Sequence, residues 1–151
     1  GGGGQGGQGG TACGRSLTPP GGDCPEACTS CDGAICIIEC DQSQECKDTT
    51  IACPADFACQ IVCGNSQSCD GAEVLCPADY ACSLEGGGIQ ACRDAQLVCG
   101  DGPCEISCSG FNQACNDTAV SCGSNECAAT CAGDSAPTLE GCDQSCACTG
   151  C

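Results

Sequence analysis

The sequence predicts an all-β fold, a disulfide-rich parallel β-solenoid with about five coils of 22–23 residues and short strands on two sheets. Three observations predict it: a cysteine frame that recurs along the chain, a period-two alternation inside each unit, and a composition unable to fill an ordinary core.

The frame comes first. Cys36, Cys59, Cys82, Cys104 and Cys127 are separated by 23, 23, 22 and 23 residues. The units CIIECDQSQECKDTTIACPADFA (36–58) and CQIVCGNSQSCDGAEVLCPADYA (59–81) coincide in their cysteines, their PAD corners and their single aromatic residue. CSLEGGGIQACRDAQLVCGDGP (82–103) and CEISCSGFNQACNDTAVSCGSNE (104–126) keep the frame, with one-residue slips at corners. A fifth unit opens with CAATC and dissolves into AGDSAPTLEG. The organisation expected is a Gly/Pro-rich arm over 1–23, a cysteine-rich cap over 24–35, solenoid repeats over 36–131 and a second cysteine-rich cap over 132–151.

Alternation explains how each unit uses its residues. Every second side chain of a strand falls on one face, so Cys36, Ile38 and Cys40 point inward together. Their successors are Cys59, Ile61 and Cys63, then Cys82, Leu84 and Gly86, then Cys104, Ile106 and Cys108. A second segment supplies Thr49, Ile51 and Cys53, then Ala72, Val74 and Cys76, then Ala95, Leu97 and Cys99, then Thr118, Val120 and Cys122. One such unit cannot bury its apolar face alone and must stack on its neighbours, at roughly 4.8 Å per coil. No segment holds a 3.6-residue apolar period, and Gly, Cys and β-branched residues disfavour helix.

Composition sets the class. The 151 residues include 25 cysteines but only three aromatics (Phe57, Tyr80, Phe111) and no Met or Trp, so covalent staples must supply the missing cohesion. That places the chain in an oxidising compartment, extracellular or at the cell surface. No membrane span or hydrophobic signal segment is visible, and a mature form with its export signal removed is expected. The net charge of −17 argues against nucleic acid and anionic membranes, which recruit clustered Lys and Arg. Carboxylate rows raise the question of Ca²⁺, but no D-x-[DN]-x-[DN]-G loop supports it, and no cofactor or metal site is expected.

Stacked cysteines would hold their Cβ atoms near 4.8 Å, outside the usual disulfide range of about 3.5–4.5 Å, so pairing around corners is expected. One edge would carry Cys40–Cys46, Cys63–Cys69 and Cys108–Cys115. The other would carry Cys31–Cys36, Cys53–Cys59, Cys76–Cys82, Cys99–Cys104 and Cys122–Cys127. Cys131–Cys142 would close a longer corner. A metallothionein-like thiolate cluster is the competing use of these cysteines, and Cys142, Cys146, Cys148 and Cys151 have that look. The aliphatic residue between repeat cysteines suits strands better. In the third unit Gly86 stands where the partner of Cys92 should be, so Cys92 is left over. It is either a buried thiol or a staple, with Cys13 on the arm as a candidate to reach it in the same chain or a neighbour.

The units CPADFAC, CPADYAC and GDGPCEISCSG, with the SxxC corners, resemble the cysteine-rich repeat proteins secreted by myxobacteria and related bacteria, a group that brings no settled activity with it. The architecture is also similar to the disulfide-bonded β-solenoid antifreeze proteins of beetles. Those proteins repeat Thr-x-Thr on one flat face, whereas Glu39, Val62, Glu85, Glu105, Glu73 and Leu75 interrupt the outward faces here.

No enzyme is expected. The chain has no histidine, the commonest general base, and its three basic residues are scattered. The function expected is that of an extracellular structural protein, a subunit of a self-assembling filament or surface layer, with copies of itself joined head to tail. The arm, with Gly1, Gly10 and Cys13, would bridge neighbouring subunits. About 20 extended residues reach on the order of 60–70 Å, past the roughly 25 Å height of five coils. The alternatives are a monomeric adhesin or carbohydrate-binding module, using Phe57 and Tyr80 as a surface ladder, and an ice-binding protein.

Overall fold

The computed structural model describes residues 17–109, 113–132 and 136–151. Within them the chain is all-β, two parallel sheets wound into a solenoid of about five turns with no helix. Each coil contributes one strand to each sheet, as the alternation requires.

The longer sheet contains β1 (Ser30–Asp32), β2 (Ile35–Glu39), β4 (Ala58–Cys63), β6 (Cys82–Gly86), β8 (Cys104–Cys108), β10 (Glu126–Cys131) and β12 (Ala147–Thr149). The shorter sheet contains β3 (Thr50–Ala52), β5 (Glu73–Leu75), β7 (Gln96–Val98), β9 (Ala119–Ser121) and β11 (Thr138–Glu140). Strands follow one another in coil order in both sheets, all parallel, except that β1 turns back and pairs antiparallel with β2.

Register places like on like. Cys36, Cys59, Cys82, Cys104, Cys127 and Cys148 form one column. Ile38, Ile61, Leu84, Ile106 and Ala129 form the next. Across the core, Ile51, Val74, Leu97, Val120 and Leu139 stack in the shorter sheet. Ile61, Leu84, Leu97 and Ile106 are completely buried. Burying each such side chain contributes about 1.5–3 kcal/mol, so the two aliphatic columns are the main non-covalent source of stability. Thr49, expected to point inward, is exposed in the first coil and donates its hydroxyl to the Cys46 carbonyl at 2.7 Å, whereas its fourth-coil equivalent Thr118 is buried.

The corner after each longer strand has an unusual backbone. Gln44, Cys46 and Asp48 all have positive φ (62°, 64° and 56°), and so do Gln67, Cys69 and Gly71, Gln90, Cys92 and Asp94, and Gln113, Cys115 and Asp117. The alternation turns successive amides up and down the stack. Gln67 N–H donates to Ile89 C=O in the following coil, Cys69 N–H to Glu45 C=O in the preceding one, and Gly71 N–H to Arg93 C=O in the following one, at 2.9, 2.9 and 2.8 Å. Left-handed non-glycine residues cost about 1–2 kcal/mol each. These coil-to-coil hydrogen bonds and the corner disulfide offset that cost.

The chain end continues the solenoid. β11 extends the shorter sheet beyond β9 and β12 extends the longer one beyond β10, so part of the expected C-terminal cap forms a further pair of strands.

Candidate functional site

The cysteines expected to close corners are where the chemistry of this chain concentrates. At the left-handed corner Cys40 pairs with Cys46, Cys63 with Cys69 and Cys108 with Cys115, with Cα–Cα distances of 5.9, 6.0 and 6.0 Å. At the opposite corner Cys53 pairs with Cys59, Cys76 with Cys82, Cys99 with Cys104 and Cys122 with Cys127. Two expected pairings are corrected. Cys31 and Cys36 lie opposite one another in register, but Cys36 turns into the core and bonds Cys28, while half-buried Cys31 bonds Cys24. Cys131 bonds Cys151 rather than Cys142, because β11 carries Cys142 to the end of the shorter sheet, where it closes on Cys148 as Cys122 closes on Cys127. Cys146 is also disulfide-bonded.

Cys92 is the free cysteine among the described residues. Its side chain is fully buried, and burial pushes its thiol up to about 12. Its backbone is held on both sides: Cys92 N–H donates to Ser68 C=O at 2.9 Å, and its carbonyl accepts from the buried Thr118 hydroxyl. Gly86 faces it. A Cβ at Gly86 would sit 3.3 Å from Cys92 Sγ and 3.1 Å from Cys115 Sγ. On the side of the preceding coil, the sulfurs of Cys63, Cys69 and Cys92 all lie within 4.8 Å of one another, as do those of Cys40, Cys46 and Cys69. A continuous sulfur column thus runs up this corner. Cys40, Cys63, Cys69 and Cys92 have no exposure, and Cys46, in the first coil, is only half-buried.

The triads Cys24/Cys28/Cys31 and Cys122/Cys142/Cys148 are equally tight. Their sulfurs are held in disulfides, which lack the thiolate that metal ligation requires.

The proposed aromatic surface ladder is not assembled. Phe57 is 3% exposed and joins the core, Tyr80 is half-buried, and Gly102 takes the corresponding place in the next corner, against the Tyr80 backbone. Sequence position alone put both aromatics on a corner; it could not show that the N-terminal segment reaches the first corner, where Gly21 N–H donates to Asp56 C=O at 2.8 Å. Gly1, Gly10 and Cys13, assigned to an assembly arm, lie outside the described residues.

Two features escaped the sequence reading. Gln44, Gln67, Gln90 and Gln113 form a side-chain ladder, each Nε2 donating to the next Oε1 at 2.8, 3.0 and 3.5 Å. Their 23-residue spacing, two residues before each corner cysteine, was available as a signal. The second is an open groove of 390 Å³ across the outer face of the longer sheet, where Ala58, Ala81, Pro103 and Glu126 line one wall. Ala58, Ala81 and Pro103, just before the strand cysteines of three successive coils, leave that trough. Beside the left-handed corner, Arg93 pairs with Asp70 at 2.9 Å, one coil along from Lys47 at the equivalent position.

No family model, curated protein or solved structure matches the chain, so its function must be argued from its own geometry. Eleven disulfides among the described residues are consistent with an extracellular protein. No helix among these residues is long and apolar enough to cross a membrane.

Proposed function

We propose that this chain is an extracellular structural protein, a subunit that joins head to tail with copies of itself in a filament or surface layer. The observation that carries the reading is the pair of open edges on the shorter sheet. Thr50–Ala52 ends it at one pole and Thr138–Glu140 at the other, and neither has a strand beyond it among the described residues. An unpaired parallel edge presents backbone donors and acceptors that another strand can satisfy. Edges at opposite poles make the contact heterologous, and with a rotation that does not close, repeated addition yields a fibre. Gly21, near the end of the Gly-rich arm, is tied to the first coil by its N–H bond to Asp56 C=O, and the arm is proposed to bridge to the preceding subunit. Its residues 1–16 lie outside the described set.

The test is electron microscopy of the native protein with and without reductant, paired with non-reducing gel electrophoresis. Filaments with a regular axial repeat support the reading, and ladders on the gel identify a covalent joint. A single monomer band with no ordered assembly overturns it.

A further inference from the structure

We infer that the sulfur column is a thiol relay, in which the vacancy at Gly86 lets the free thiol move from buried Cys92 to half-exposed Cys46 by two internal disulfide exchanges. The inference does not depend on assembly.

The geometry supplies two overlapping triads. Cys92 Sγ lies within 4.8 Å of both sulfurs of the Cys63–Cys69 bond, and Cys69 Sγ lies within 4.8 Å of both sulfurs of the Cys40–Cys46 bond. In the first step hydroxide takes the Cys92 proton, giving water, and the Cys92 thiolate attacks Cys63 Sγ. A Cys63–Cys92 bond forms, the Cys63–Cys69 bond breaks, and the leaving electron pair resides on Cys69 Sγ. In the second step Cys69 attacks Cys40 Sγ, a Cys40–Cys69 bond forms, and Cys46 leaves and takes up a proton. One thiol and two disulfides enter and the same number emerge, so neither oxidant nor reductant is consumed.

The product is a shift of register: each strand-end cysteine is bonded to the corner cysteine one coil further on. Bonds between neighbouring coils are compatible with this fold. Cys131, on β10, and Cys151, just beyond its neighbour β12, are already joined across coils with a Cα–Cα distance of 5.6 Å, close to the 5.9 Å of Cys40–Cys46. The triads give the movement its direction: Gly86 offers Cys92 no sulfur in its own coil, and among the described residues Cys92 shares a triad with the preceding Cys63–Cys69 bond but none with Cys108–Cys115. The exit has chemical meaning: Cys92, Cys63 and Cys69 are fully buried, and Cys46 is the member of the two triads that solvent reaches.

The experiment is prolonged incubation of the folded chain with excess maleimide, followed by peptide mapping without reduction. Wild-type protein is expected to gain label at Cys46, about tenfold faster at pH 9 than at pH 8, because the scarce Cys92 thiolate limits the rate and its fraction rises tenfold per pH unit. Peptides joined through Cys63–Cys92 and Cys40–Cys69 should appear in step with it. C92A, which removes the nucleophile, and G86C, which occupies it, should both reduce labelling at Cys46 to background. Label confined to Cys92, label absent until the protein is denatured, or label at Cys46 that persists in C92A would each overturn the relay.

Discussion

Gly86 stands opposite Cys92 at the distance a bonded cysteine would need: a Cβ there lies 3.3 Å from Cys92 Sγ. Every other described coil that carries a cysteine at the Cys92 position closes that corner with a disulfide. G86C is therefore expected to bond Cys92 and remove its thiol. Closing this short loop should stabilise the fold by about 2 kcal/mol in the chain-entropy picture, less whatever crowding Cys115 Sγ imposes at 3.1 Å. Thiol titration in denaturant checks the bond: a titre below that of the wild type is expected, and a titre above it, with both cysteines free, refutes it.

Alkaline pH should weaken the native state through Cys92. Burial raises its thiol to about 12, whereas the unfolded thiol ionises near the usual 9.0. Below that pH both states keep the proton and the full contribution is present; between about 9 and 12 only the unfolded state releases it, so stability falls as pH rises. Brief guanidinium titrations from pH 8 to 11 should show this decline in the wild type. In C92A the same span should be flatter, and parallel slopes would exclude the thiol as the cause.

Leu84 occupies the middle of the aliphatic column with no exposure. L84A should cost about 2–5 kcal/mol, because stapled corners restrict the collapse that would fill the cavity. L75A, at a residue 36% exposed on the outer face, should cost under about 1 kcal/mol. Denaturant unfolding with disulfides intact distinguishes the two, and equal costs would contradict the assigned faces.

Gln67 combines two roles that substitution can separate. It bridges Gln44 and Gln90 and holds φ at 57°. Q67A loses the ladder and keeps the backbone cost, while Q67G loses the ladder and relieves it. Q67G should exceed Q67A in stability by about 1 kcal/mol, as measured by the shift in unfolding midpoint. A lower stability for Q67G would mean that the corner is not strained.

Much of this architecture was legible because residue type and geometry share one period. Cys-x-Ile-x-Cys names its own inward face, and the 23-residue recurrence stacks Ile38 on Ile61 without knowledge of the turns. Legibility failed where the period fails. Cys28 and Cys31 lie in a segment that reverses direction, so their partners depend on which sulfur turns inward. Thr138–Glu140 continues a sheet although its coil has lost the cysteine spacing, which moved Cys142 to the opposite corner. Phe57 was misplaced for a third reason: burial at an end depends on what crosses the pole, and no repeat encodes that.

Local cross-links also set how the molecule would yield under tension. Between Cys36 and Cys59 the Cys40–Cys46 and Cys53–Cys59 bonds each span a separation of 6, so together they withhold about half of a repeat that advances 23 residues. Pulled from its ends, such a chain peels coil by coil, each surrendering roughly half its contour while the remainder stays folded into covalent loops. The bonds that close the corners thereby convert a brittle stack into a short-stroke, stepwise extensible one, a mechanical character written into cysteine spacing.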